Sequence, residues 1–211
     1  MKTLENFLEE TSRMHRHLCP RQVLGVRMGI LAGKILSVEL PQHDKRLLTI
    51  VETDGCAVDG ISVVSNCTVG HRTLRVEDYG KVAATFVDTE AGRSIRIVPR
   101  STIRRRSYGF AAKQSTKWEA QRIGYQRMPD ELLFKVQEVE LAFPLEKIIS
   151  RAGRKAICSS CGEEIINERE VHCGNDVLCR PCAGETYYVL KECSESIRFA
   201  TNDAAEFSEI F

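Results

Sequence analysis

The chain has no apolar run that approaches the roughly 18 to 20 residues of a membrane span, so no membrane location is expected. Its start, MKTLENFLEETSRMHRH, is charged and amphipathic and has neither the apolar h-region nor the small-residue cleavage site of a secretory signal. The expected compartment is the cytoplasm, where thiols stay reduced. Charge of one sign is also missing. Thirty Lys and Arg stand against 29 Asp and Glu, a formal net charge of +1, so no overall field steers the protein toward nucleic acid, and that partner is not expected. Internal repeats and low-complexity tracts are absent. The composition is that of a soluble globular chain with room for one good core and a small second unit.

What the chain does have is cysteine, nine in 211 residues. In a reducing compartment clustered cysteines point to metal or catalysis rather than to disulfides. They fall into two groups. Cys19, Cys56 and Cys67 lie in the first third, and six from Cys158 to Cys193 lie in the last quarter. The split predicts two domains, residues 1–151 and 152–211, joined near a short basic, glycine-containing stretch at 151–155.

Along the first domain the periodicity predicts helices at 3–14 and 20–36. Pro20 suits the first helical position. Gly25, Gly29 and Gly33 recur every fourth residue along the second helix and mark a stripe where another backbone packs very close. A strand is expected at 47–53, a short buried helix at 57–66, and strands at 82–88 and 94–98. A helix is expected at 109–127, a strand with a bulge at 134–143 and a short helix at 144–150. The order is mixed rather than a regular βαβ alternation, which predicts an α+β core.

In the second domain Cys158-x2-Cys161 and Cys179-x2-Cys182 are separated by 17 residues, a spacing that reads as a four-cysteine zinc site. Two residues between ligands allow a tight turn to point both sulfurs at one ion, and two such turns complete a tetrahedron. An iron or iron–sulfur centre uses the same ligand type. A hairpin through Asn175 and a helix after Pro181 would make the module treble-clef-like. Lys155, Arg154 and Arg180 can offset the thiolate charge. His172 and Cys173 are substitute ligands or surface residues, and Cys193 is a bystander. A complete ligand set is structural rather than catalytic.

The sharper functional signal is His15-Arg16-His17-Leu18-Cys19-Pro20. With Pro20 first in the helix, Cys19 is its cap, where free amides and the helix dipole are expected to lower a thiol pKa. His15 and His17 can reach the same place, and Cys56 follows a strand-ending Asp54-Gly55. Asp59 lies one turn on, and Cys67 opens Cys-Thr-Val-Gly-His71.

The segments HRHLCPRQVLGVRMG, DGCAVDGISVVSNCTVGH and DYGKVAATFVD resemble the E-subunit family of formylmethanofuran dehydrogenase in the same order. Several members carry a carboxy-terminal zinc finger of the kind argued above. The resemblance implies an α+β core, a homodimer, a place beside a larger oxidoreductase, and a pocket where a second metal ion can sit. By motif it carries over His17, Cys19, Cys56, Asp59 and Cys67. Family members usually have glycine at the positions of Arg16 and Arg21 and lysine at that of His71, so the pocket rim differs here. The parent enzyme's pterin and iron–sulfur cofactors belong to its other polypeptides, and nothing in this chain resembles a pterin enzyme.

Three readings follow. The first is a metal-binding accessory protein with a core ion held by His17, Cys19 and Cys56, with Cys67 or water as the fourth ligand. The second is a stand-alone redox or metal-dependent enzyme with Cys19 as nucleophile or catalytic residue and His15 or His17 as base. The third is a zinc-finger adaptor for nucleic acid or protein, for which only the run Arg100, Arg104, Arg105 and Arg106 speaks. That run is more simply a solvated face, or a grip on an anionic substrate.

Overall fold

In the computed structural model, residues 2–15, 17–149, 151 and 153–189 are described. The chain divides into two compact units, Met1–Ile149 and Ser150–Phe211.

The first unit is a mixed α+β core. Helices α1 (Leu4–His15) and α2 (Pro20–Leu36) precede strand β1 (Leu47–Val51), helix α3 (Ala57–Ser65) and strand β2 (Leu74–Val76). Strands β3 (Ala84–Asp88) and β4 (Arg93–Pro99) follow. A helical stretch then leads to β5 (Phe134–Glu138) and to α7 (Leu145–Ile149). The five strands form one sheet in the order β2-β1-β3-β4-β5. Only β1 and β2 are parallel, and α3 is the crossover between them.

Helix α2 is buried on nearly every side, as expected of a helix without a polar face. It lies over the sheet, and its side chains join Phe86, Ile95 and Ile97 in the main core. The glycine stripe does what its spacing predicts. A Cβ on Gly25 would fall 2.0 Å from the Ala57 carbonyl oxygen, and one on Gly29 would fall 2.9 Å from the Val64 Cβ. From α3, Gly60 answers: its Cβ would lie 2.4 Å from the Gln22 oxygen. The two backbones touch, and the contacts advance together along both helices, so α2 and α3 begin at the same end.

Several elements differ from the sequence reading. The helix expected at 109–127 is broken. α4 (Ile103–Arg106) and a 3-10 turn (Ser107–Phe110) come first, and α5 runs only over Lys117–Arg127. Thr116 sets that start. Its hydroxyl accepts the Glu119 N–H at 3.2 Å and Glu119 bonds back to Thr116 N, a capping box written as Thr-x-x-Glu. The strand expected at 134–143 stops at Glu138 without a bulge. After a last rung from Val139 N to Ser94 O at 3.1 Å the chain leaves the sheet, and Leu141 packs with Leu145 on Leu48 and Val87 across the other face. Strand β2 and helix α6 (Asp130–Leu133) have no counterpart in the sequence reading.

The second unit consists of two hairpins, β6 (Lys155–Ile157) with β7 (Glu164–Ile166) and β8 (Val171–Cys173) with β9 (Asp176–Leu178). The second hairpin turns through Gly174 and Asn175, as expected. The helix expected after Pro181 is a single turn closed at Gly184, whose φ of 96° lies in the left-handed region. Residues 185–189 are not helical.

Candidate metal centres

In the second unit the two Cys-x2-Cys turns meet. One sulfur from each of Cys158, Cys161, Cys179 and Cys182 lies within 4.8 Å of every other. Among the described residues, this is the only set of three or more His, Cys, Asp or Glu that is so close. Cys161 Sγ and Cys179 Sγ are 3.8 Å apart. Sulfurs bound tetrahedrally at about 2.3 Å from one ion stand about 3.8 Å apart, so the set fits one metal ion.

The backbone supports that shape. Gly162 takes a φ of 76° and its N–H bonds to Cys158 O at 3.0 Å, which closes the first turn. Cys179 N–H donates to Cys158 Sγ at 3.3 Å. Amides of Cys161 and then Cys179 pull the Cys158 thiol down to about 6, the direction that favours the metal-binding thiolate. Two of the cations expected to offset the thiolates are paired instead, Lys155 with Glu164 at 2.9 Å and Arg180 with Glu185 at 3.8 Å. His172 and Cys173 stand outside the cluster on β8, and Cys173 is exposed. Cys193 lies outside the described residues.

In the core unit, Cys19 N-caps α2. Its Sγ accepts the Gln22 N–H at 3.4 Å, and Gln22 Oε1 accepts the Cys19 N–H at 2.9 Å. Gln22 also donates to the Thr11 carbonyl at 2.9 Å, which ties α1 to this corner. Cys56 sits at the start of α3 and makes no side-chain capping bond. The glycine-tight pairing of α2 and α3 brings the two helix starts together and makes Cys56 a neighbour of Cys19. The expected lowering of the Cys19 pKa is not what results. Burial raises it, the Gln22 amide offsets only part of that, and neighbouring Cys56 adds to the rise.

Around the pair, His15 Nε2 meets Asp59 Oδ2 at 2.5 Å, so the end of α1 is held to the first turn of α3. His17 Nδ1 meets the His15 carbonyl at 2.9 Å, and the two imidazoles are edge to face at 6.3 Å. His15, His17 and Asp59 are thus linked by contacts near the neighbouring Cys19 and Cys56, although no three of these residues bring their ligand atoms within 4.8 Å of one another as the four cysteines do. Cys67 is not part of this group. It follows α3 at the far end from Cys56, and nine helical residues at about 1.5 Å each separate them by about 13 Å. Its thiol is fully buried and held by Gln42 Nε2, the Thr49 hydroxyl and the Leu47 carbonyl, and burial raises its pKa. Cys67 cannot join the Cys19 set as a fourth ligand.

Sequence reasoning missed Gln22 and the His15–Asp59 pair. The first has a signal, a polar residue three after the cap. The second has none, because 44 residues separate the partners.

Residues 14–141 match a family model described as FmdE, molybdenum formylmethanofuran dehydrogenase operon. The chain belongs to this family. The matched FmdE segment holds Cys19, Cys56 and Cys67, whereas the four-cysteine unit lies beyond it. A relative from Archaeoglobus fulgidus, named as a probable S-adenosyl-L-methionine-binding protein, is 30% identical over 209 residues. The alignment covers 89% of this chain and 55% of that protein, so the chain spans about half the length of the relative. A crystal structure of a protein from Syntrophus aciditrophicus, described as like FmdE of a tungsten formylmethanofuran dehydrogenase, is 21% identical. It superposes with a TM-score of 0.53, covering 89% of this chain and 96% of that one. At that identity the likeness is one of fold.

Proposed function

We propose that this FmdE protein is a metal-binding accessory protein with two ions per chain. One is a structural zinc held by Cys158, Cys161, Cys179 and Cys182. The other sits in the core unit between Cys19 and Cys56, with His17 as third ligand and a fourth position open to water or substrate. The observation that carries the second site is the pairing of two half-buried thiols at the starts of two helices. Helix N-termini favour the thiolate form, and a bound cation would remove the burial penalty that holds the Cys19 pKa up.

His15 and Asp59 would act one step out. A carboxylate-bonded imidazole fixes ring orientation and can hold or release a proton beside the open position. A structural zinc with a full ligand set leaves no such position, so any chemistry belongs to the core corner. The reading includes a homodimer, tested by light scattering on the eluting peak, and association with a larger oxidoreductase, tested by copurification. It places the protein in the cytoplasm, and among the described residues no helix is long and apolar enough to cross a membrane.

Elemental analysis tests the reading. The wild type should carry two equivalents of metal and Cys19→Ala one. One equivalent in both would remove the core site from the account. If metal-free protein is instead alkylated at Cys19 at mild pH while its activity needs no core metal, the stand-alone cysteine enzyme replaces it. S-adenosyl-L-methionine, the ligand in the archaeal relative's name, is a direct probe of the same corner by calorimetry.

A further inference from the structure

A second polar hollow lies away from this corner, at the far end of α3. Its volume is about 150 Å³, and Gln42, His43, Lys45, Asn66, His71 and Thr73 line it. At about 30 Å³ per water, that is room for a tetrahedral or planar oxyanion and some of its water.

The floor is fixed. Gln42 is buried; its Nε2 donates to the Leu47 carbonyl at 2.7 Å and its Oε1 accepts the Leu47 N–H at 2.5 Å. Asn66 Nδ2 donates to the Gln42 carbonyl at 2.8 Å, and the Thr73 hydroxyl accepts the Thr68 N–H at 3.1 Å. The rim is different. His43, Lys45 and His71 are exposed, and their side chains make no hydrogen bond or ion pair with any described residue. No carboxylate lines the hollow. A lysine and two imidazoles therefore line one polar space, while Asp44, between His43 and Lys45 in the chain, turns its Oδ1 to the Arg46 N–H at 3.1 Å.

The backbone around the hollow is unusual. Among the described residues of the core unit, four that are not glycine have a φ in the left-handed region, and two of these line the hollow: Lys45 at 65°, and Asn66 at 57° as the cap that ends α3. The C-terminus of α3 carries partial negative charge toward the hollow, and two of its last carbonyls are engaged. Ser62 O accepts Asn66 N–H at 2.8 Å, and Ser65 O accepts Gln42 N–H at 3.3 Å.

We propose that this hollow is an oxyanion site, in which Lys45, His43 and His71 hold a phosphate or carboxylate group of a small ligand over the Gln42–Asn66 floor. It stands apart from the proposed core metal, about the length of α3 away, and does not depend on it.

The five histidines of the full chain supply the probe, since their ring C–H signals are countable by NMR. Inorganic phosphate and acetate are titrated separately at pH 6.5 against chloride of equal ionic strength. Saturable shifts confined to two rings, assigned by His43→Gln and His71→Gln, are expected from at least one anion, and the anion that saturates lower names the group. Lys45→Gly should weaken binding roughly tenfold, the loss of one charge-assisted hydrogen bond. Glycine also accepts a φ of 65°, so that variant keeps the loop. His71→Lys, which puts a second ammonium on the rim, should tighten binding. Shifts that never saturate, that appear equally with chloride, or that are the same in Lys45→Gly would overturn the site.

Discussion

At the scale of single residues the core is held by charges that the sheet has partly buried. Asp88 closes β3, with only 2% of its side chain exposed, and takes two bonds from Arg46 at 3.0 and 2.6 Å. The guanidinium, with the amides of Ala91 and Glu90, holds the carboxyl down at about 2 against an ordinary 3.8. A depressed acid stabilises the fold fully above its unfolded pKa, near 4, and loses that contribution as pH falls through 2. Asp88→Asn should therefore cost about 2 kcal/mol at pH 7, read from urea midpoints, and the gap to wild type should close below pH 4. A gap of equal size at pH 2 would contradict this. Individual residues are legible where chemistry fixes spacing. The four cysteines announce themselves, and the places of Cys19 and Cys56 at two helix starts are legible from Pro20 and the Asp54-Gly55 strand end. Cys67 looks equivalent to them in sequence, and only the length of α3 separates it. The thiol pKa of Cys19 runs against expectation because a cap position is visible in sequence and burial is not.

Between elements, the decisive contact is glycine on backbone. Gly25 and Gly60 let α2 and α3 close until their first residues meet, and that closeness places Cys19 beside Cys56. Gly25→Ala puts a methyl 2.0 Å from a carbonyl oxygen that cannot rotate away. It should lower stability by about 1 to 3 kcal/mol and reduce metal in the core unit while leaving the four-cysteine unit loaded. Gly109→Ala, where nothing lies within 4 Å, should change neither thermal midpoint nor metal content. A Gly25→Ala protein with full metal content would break the link between helix packing and site. Helix α2 is readable to the residue because proline opens it and its stripe is regular. The helix expected at 109–127 is too long because the Thr116–Glu119 box lies hidden within a run of helix-compatible residues. The strand expected at 134–143 is too long because Leu141 and Leu145 pack as neighbours on the sheet's other face, which alternation alone cannot distinguish from a longer strand.

For the whole molecule, the two units owe their folds to different forces. The core unit buries a continuous set of large apolar side chains. Among the described residues of the second unit, only Cys158 and Ile165 are buried apolar groups. So small an interior cannot offset the entropy of ordering some 40 residues, and an ion held by the four cysteines would supply the difference. A chelator at neutral pH should open residues 151–189 to limited proteolysis and leave the core unit's melting transition in place. A second unit that stays protected without metal would refute that division. The proposal that matters most is the second ion, since it places any chemistry at the start of α2 and α3 rather than in the cysteine module. Anomalous diffraction at the absorption edge of the bound metal tests it directly. The account predicts two peaks per chain, one inside the four sulfurs and one about 2.3 Å from both Cys19 Sγ and Cys56 Sγ. A single peak, at the four cysteines, would contradict it.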